Sequence, residues 1–363
     1  MQKKIIALAI AAAFSAPAFA ADVTPYGIVD AAVARVSNSG QKSDLLAVSG
    51  GLSGSRVGIK AVEELDGGMK AVVVVEYALD TETSSTVGAA RQEMLALAGD
   101  FGTVATGYLQ TTAYDFAQKF DPAFGSSVSA WQNMTKGNAQ FLVGAVAGAA
   151  RASRALAYIS PSMGGVTVAV NYSTALADTL GNLGIAETGA ETKVTATLLS
   201  VTYAGGPLTV GGVYAKTTNP SASSASDEKE MALGASYDLG VAKLMGTFQT
   251  TKNSSVATAT AGNANKIMTF SGVIPVGPGA IALSYAKATI GTAAAGADGN
   301  GSGLTVAYLQ GLSKTVTAYG ALSRVSNGAN TNAFSVFNGG VAGGTSTAGA
   351  SSTLIAVGLK KVF

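Results

Sequence analysis

The sequence predicts an all-β protein: a sixteen-stranded antiparallel transmembrane β-barrel, closed on itself, with its third long loop folded inward. Three observations carry that expectation. Apolar residues alternate with small or polar ones at a period of two over most of the chain. The connections between these segments alternate strictly between short and long. And only 12% of the 363 residues are charged while 48% are apolar, against roughly 25% charged in an ordinary soluble domain.

The same composition excludes much. No run of about 18 consecutive apolar residues occurs, so a bundle of membrane-spanning helices is ruled out. There is no His and no Cys. Most zinc sites, Ser-His triads, haem ligation, iron–sulfur clusters and disulfides are therefore out of reach, and neither a cofactor nor a metal is expected.

Taken in order, the chain opens with a basic pair, Lys3 and Lys4, an apolar stretch from Ile5 to Phe14, and a small-x-small triplet, Ala18-Phe19-Ala20. That is the pattern of a cleaved secretory signal peptide over 1–20, leaving a barrel over 21–363. Loss of Lys3 and Lys4 brings Lys plus Arg from 23 to 21, level with the 21 Asp plus Glu. A mature net charge of zero gives no argument for a nucleic-acid partner.

Sixteen alternating segments follow. They begin near Val23, Ser55, Met69, Arg91, Gly102, Arg154, Val166, Thr192, Leu208, Lys229, Ala242, Lys266, Ala280, Ser302, Lys314 and Ser352. Val166, Val168, Val170 and Tyr172 share one face; Thr167, Ala169, Asn171 and Ser173 share the other. An apolar face ending in an aromatic, over about 10 residues, is the mark of a lipid-facing strand. The short connections, such as Asp66-Gly67-Gly68 and Gly277-Pro278-Gly279, are tight turns. The long ones are rich in Ser, Thr, Asn, Gly and Ala. One trimmed end and one decorated end is the asymmetry of outer-membrane barrels, with short periplasmic turns and long external loops. Closure follows, because an open sheet edge in hydrocarbon leaves backbone groups unpaired. Sixteen strands also enclose an aqueous lumen, where eight would be filled by side chains.

Candidate site residues come from parity and from the longest loop. Arg56, Gly58, Lys60 and Glu64 share a face opposite Val57, Ile59 and Ala61, so the basic residues face inward. Arg91, Arg151 and Arg154 open later strands at similar heights. The four arginines are expected to line one wall of a pore constriction, where charged side chains set selectivity; the alternative is anchoring of loops, or lipopolysaccharide contact at the outer rim. The connection Gln110–Ala150 carries Tyr114, Asp115, Phe116, Lys119, Phe120, Asp121, Phe124 and Trp131. A loop that long and partly apolar is expected to fold into the barrel, setting Asp115, Lys119 and Asp121 in the constriction. An external lid is the alternative. Asp298-Gly299-Asn300-Gly301 imitates a calcium loop, but Leu309 stands where its bidentate Glu belongs. Gly339–Gly344 lacks the Lys of a phosphate loop.

At these residues the chain resembles the general porins of Gram-negative bacteria, in their trimeric sixteen-stranded form. Tyr26-Gly27-Ile28-Val29-Asp30 is similar to the family's first strand, and Ser55-Arg56-Val57-Gly58-Ile59-Lys60 with Asp66-Gly67-Gly68 to its second hairpin. Arg91-Gln92, Gly99-Asp100-Phe101-Gly102, Tyr158-Ile159-Ser160-Pro161 and Val357 to Phe363 fit in turn. The resemblance implies a homotrimer in the outer membrane, each barrel a passive channel for ions and small hydrophilic solutes. It implies contact with outer-membrane lipid and lipopolysaccharide, and a terminal Phe363 read by the barrel-assembly machinery. Arg56, Arg91 and Arg151 match its basic wall, and Asp115 and Asp121 its acidic loop; Asp30, Lys60 and Tyr108 are expected to line the pore. Tyr108 stands where the family often carries Arg. Two other readings remain: a substrate-selective channel using Phe116, Phe120 and Trp131 as a stacking track, and an adhesion protein anchored by the barrel. An enzyme is set aside for want of His.

Overall fold

A computed structural model describes residues 22–39, 43–82, 88–123, 126–135, 151–174, 195–219, 226–253, 265–289, 299–332, 334–336 and 347–363. The signal peptide expected over 1–20, Phe124, the apolar stretch 141–150, Asp298 and the Gly-rich segment 339–344 lie outside them.

Seventeen strand segments form one antiparallel sheet: β1 (Asp22–Asn38), β2 (Asp44–Ser49), β3 (Arg56–Glu64), β4 (Lys70–Ala78), β5 (Ala90–Gly99), β6 (Gly102–Gln110), β7 (Arg151–Ile159), β8 (Val166–Ser173), β9 (Thr195–Gly205), β10 (Leu208–Asn219), β11 (Ser226–Asp238), β12 (Lys243–Asn253), β13 (Asn265–Val276), β14 (Gly279–Thr289), β15 (Asn300–Gly311), β16 (Val316–Asn327) and β17 (Ser351–Val362). The extra segment is β2. One edge of β1 pairs with β17 over Ile28 to Asn38. Its other edge pairs with β2 over Ala31 to Val36 and with β3 over Asp22 to Ile28. Thus β2 and β3 are two halves of one stave, and the sheet is a closed sixteen-stranded barrel.

The stave is broken at Gly50–Ser55 because Asp30 of β1 holds the chain there. Its Oδ2 accepts from the backbone N–H of Leu52 (2.9 Å) and Ser53 (2.6 Å). Its Oδ1 accepts from the hydroxyl of Tyr319 on β16 at 2.6 Å. Asp30 therefore ties β1, the break and β16 together. At the other end of the seam, Phe363 and Gly27 exchange both backbone hydrogen bonds, at 2.9 and 3.1 Å.

Period-two alternation separates two environments. On β13 and β17, Phe270 and Val357 are 70% and 67% exposed, whereas the neighbouring Thr269 and Ala356 are buried. The exposed apolar face is what hydrocarbon solvates. The inner face carries hydroxyls that pair across strands: Thr247 with Thr269 at 2.6 Å, Ser271 with Ser284 at 2.8 Å.

What buries that inner face is the connection after β6. It forms helix α1 (Thr112–Phe120) and helix α2 (Ala130–Thr135). The α1 helix packs on β8 to β12 and α2 on β13 to β16. Phe116, Phe120, Trp131 and Met134 are almost wholly buried. Thr112 N–H donates to Asn171 Oδ1 at 2.7 Å, Trp131 Nε1 to Gln249 Oε1 at 2.7 Å, and Thr305 Oγ1 to the Val128 carbonyl at 2.5 Å. Gly234 on β11 makes room, since a Cβ there would sit 2.6 Å from the Phe120 ring. The third long loop is thus docked inside the barrel against the wall formed by β8–β16.

Candidate functional site

Opposite that docked wall, β3, β4, β5 and β7 bring a charged cluster to the inner face. Arg56 opens β3 and shares the inward parity of Gly58 and Lys60, while Ile59 between them is 53% exposed on the outer face. Glu76 lies on β4 diagonally from Arg56, because the hairpin pairs Arg56 with Ala78 and Gly58 with Glu76. Gly58 is small for a reason: the Tyr26 ring crosses it, and a Cβ there would meet that ring at 2.6 Å. The Tyr26 hydroxyl then donates to Glu76 Oε2 at 3.1 Å.

Arg91 reaches the same carboxylate by an irregularity. Strict alternation with Leu95 and Leu97, both exposed, would turn Arg91 outward. A β-bulge sets Glu76 against Gln92 but Tyr77 against Ala90, leaving Arg91 as the extra residue. A bulge re-aims a side chain in this way. Arg91 Nε consequently lies 2.6 Å from Glu76 Oε1, and Arg56 Nε lies 3.6 Å from Oε2.

Arg151, at the start of β7, completes the cluster. Its Nε donates to the Arg91 carbonyl at 2.7 Å. Its guanidinium carbon lies 4.9 Å from the centroid of the Tyr114 ring on α1, a cation–π contact. The Tyr114 hydroxyl in turn accepts from Arg91 Nη2 at 3.3 Å. Arg151 is buried, and its Nη2 has no hydrogen-bond partner among the described residues. Three guanidiniums and one carboxylate thus meet around two tyrosines.

The remaining expected residues divide. Arg154 is exposed, shares the outer parity of Leu156 and Tyr158, and carries φ of 45°; it is not brought to the cluster. Lys60 is exposed on the inner face, further along β3. Tyr108 is half-buried on β6 and pairs with Glu93 of β5, within the register shift between Gly107 and Leu109 where β7 carries an extra residue. Lys119 is exposed on α1, with its Nζ 3.3 Å from the Asp115 carbonyl. Asp115 is half-buried and its Oδ1 accepts from Gln110 Nε2 at 2.5 Å. Burial pushes its carboxyl above the ordinary range, against the pull of Gln110 and Lys119. Asp30 is fully buried in the seam.

Asp121 has a different position from the one expected. It is 4% exposed, and both carboxylate oxygens are occupied by its own loop. Oδ1 accepts from the Ala123 N–H at 2.9 Å and Oδ2 from Ser129 Oγ at 2.5 Å. Burial raises its pKa, with those two hydrogen bonds opposing. The structure places it as a brace within the loop. Phe116, Phe120 and Trp131 are likewise packed away, which removes them as a surface on which a solute could stack. Glu76 was absent from the sequence expectations, although counting outward from the Asp66–Gly68 turn puts it beside Arg56. Among the described residues no three carboxylates are grouped to hold a metal ion.

Residues 7–330 match the profile of a family described as Gram-negative porin. Outer membrane porin protein 32 of Delftia acidovorans is 29% identical over 383 aligned positions spanning all of both chains. The solved anion-selective porin from Comamonas acidovorans superposes on 94% of this chain and 100% of its own, with a TM-score of 0.75 and 28% identity. A trimer form of OmpT from Vibrio cholerae superposes on 95% of this chain and 100% of its own, with a TM-score of 0.66 at 15% identity, a likeness of fold.

Proposed function

Given that the chain belongs to the Gram-negative porin family and is a passive channel of the outer membrane, we propose that it prefers anions, which it passes along the wall of Arg56, Arg91 and Arg151. There is no chemical step; selectivity comes from fixed charge at close quarters. The observation that carries the reading is the imbalance at Glu76, one carboxylate against three guanidiniums. The Arg151 guanidinium supports it, since it makes no ion pair among the described residues. So does the similarity to a porin described as anion-selective. Asp115, Lys119 and Lys60 are further charges on loop and wall, and they modulate the field.

The test is the reversal potential of the purified channel across a salt gradient. Wild type is expected to favour anions. Arg91→Ala and Arg151→Ala should each move the potential toward cations several-fold in permeability ratio. A potential indifferent to both would overturn the assignment.

The same proposal includes a homotrimer, supported by the trimer form of OmpT; conductance rising in threes checks it. It also includes export by the segment 1–20, checked by the N-terminal sequence of the mature protein. Recognition of Phe363 during assembly is checked by barrel insertion of a Phe363→Ala variant.

A further inference from the structure

The basic wall does not stop at Arg56. On the far edge of β1 stands Lys360 of β17, paired directly with Asp30. Along β17, Ser352, Leu354 and Ala356 are buried, whereas Ile355, Val357 and Leu359 are exposed. Lys360 shares the parity of the first set and is half-buried on the inner face; Lys361 shares that of the second and faces outward. Arg56 lies opposite Ile28, on the other edge of β1. Two strand spacings and two residues of rise put the Cα atoms of Arg56 and Lys360 about 12 Å apart. Both side chains lean toward the gap in the broken stave. Arg56 Nη1 donates to the Gly54 carbonyl at 2.9 Å, and Lys360 Nζ lies 3.5 Å from Ser53 Oγ. Two cations are thus fastened to consecutive residues of the break.

Their surroundings are built alike. Two residues from Arg56, on the same face, is Gly58, crossed by the Tyr26 ring, whose hydroxyl donates to Glu76. Two residues from Lys360, on the same face, is Gly358, where a Cβ would collide with the Tyr319 ring, and the Tyr319 hydroxyl donates to Asp30. The difference lies in the carboxylate. Glu76 is within ion-pair distance of Arg56 and Arg91. Asp30 is fully buried, and its oxygens are taken by Tyr319 and by the N–H groups of Leu52 and Ser53. Among the described residues no carboxylate comes within ion-pair distance of Lys360. Its ammonium is a compact charge on a flexible stem, held over the break by one long contact to a hydroxyl.

We propose that Lys360 is a fourth cation of the constriction and a determinant of its ion preference, receiving small anions that pass along Arg56. The inference rests on the reading of Arg56, Arg91 and Arg151 as an anion path. It extends that path across the seam where the first and last strands meet, and it gives the broken stave a second use, as the anchor of both Arg56 and Lys360.

Reversal potentials of the bilayer-inserted channel across a gradient of potassium chloride read the role. Lys360→Gln should move the potential toward cations, several-fold in permeability ratio. Lys360→Arg, which keeps the charge, and Lys361→Gln, which faces outward, should both keep the wild-type value. The shift should shrink at about 1 M salt, where the Debye length falls to about 3 Å; a change in the shape of the wall would not be screened in this way. The chain has no Cys, so Lys360→Cys supplies the only thiol for a second measurement. A cationic methanethiosulfonate should return the potential toward wild type, and an anionic one should drive it further toward cations. Equal potentials in wild type and Lys360→Gln overturn the proposal. So does a Lys360→Cys thiol that neither reagent modifies, or one whose modification, confirmed by mass, leaves the potential unmoved. The two readings fail separately. A shift in Lys360→Gln with none in Arg91→Ala or Arg151→Ala removes the arginine path and keeps the lysine; the converse keeps the path and removes the lysine.

Discussion

At Glu76 two guanidiniums share one carboxylate, Arg91 at 2.6 Å and Arg56 at 3.6 Å, with Tyr26 as a third donor at 3.1 Å. Changing Glu76 to Gln keeps the shape and removes the only acid of the cluster. The expected outcome is a several-fold rise in anion over cation permeability, read as reversal potential. Arg56 was legible from sequence because its parity with Gly58 and Lys60 opposes Ile59. Resemblance and height on the strand point Arg91 inward; alternation with Leu95 and Leu97 alone turns it to the lipid. The bulge that re-aims it leaves no mark in a period-two pattern, since an inserted residue is visible only against its partner strand. Arg154 is the reverse case: its sequence position suggested the wall, and its parity with Leu156 and Tyr158 puts it on the outer face.

At the scale of elements, the docked loop holds its acids for two different purposes. Asp121 accepts from Ala123 N–H and Ser129 Oγ and is buried, so Asp121→Ala strands two buried donors. That costs about 1–3 kcal/mol per unsatisfied group. The expected phenotype is a looser loop, with noisier and larger conductance steps and an unchanged sign of selectivity. Asp115→Asn should instead move the reversal potential toward anions. Acidification separates the two further. Burial raises both carboxyls, so each takes up its proton at a pH above the free-aspartate range, about 3.9. For Asp121 the folded loop binds more protons than the undocked one, so docking strengthens as pH falls through the raised range and weakens as pH rises through it. Hydrogen exchange of α1 amides, corrected for intrinsic rate, should slow on acidification from neutrality. For Asp115, protonation removes a negative charge, and anion preference should grow as pH falls through its own raised range. The inward course of the loop was legible from its length and its aromatics. The brace was not, because Asp121-Pro122 reads the same whether the carboxylate meets water or Ser129.

For the whole molecule, the problem is closing a sheet whose first and last strands lie more than three hundred residues apart. The sixteen alternating segments of the sequence correspond to sixteen staves, but β2 was hidden in the first long loop. Six residues with Asp44 at one end and a Gly-Gly pair just past the other read as a loop until they pair with β1. The broken stave places Asp30 at the junction. Its two oxygens take Leu52 N–H, Ser53 N–H and the Tyr319 hydroxyl, so the carboxylate joins the first strand, the break and the penultimate strand. Gly51 and Gly358 allow this, since a Cβ at either would lie within 2.4 Å of the Tyr319 side chain. Asp30→Ala leaves those donors unpaired inside the seam. The barrel should still close, because β1 keeps its backbone ladder to β17 along Ile28 to Asn38. Its stability in lipid should fall by about 1–3 kcal/mol for each donor left buried and unmet. Tyr319→Phe, which removes one donor and leaves the backbone pair, should cost less than Asp30→Ala. Equilibrium unfolding of both variants in denaturant measures the difference, and equal losses would mean that the carboxylate's hold on the broken stave contributes nothing beyond its bond to Tyr319.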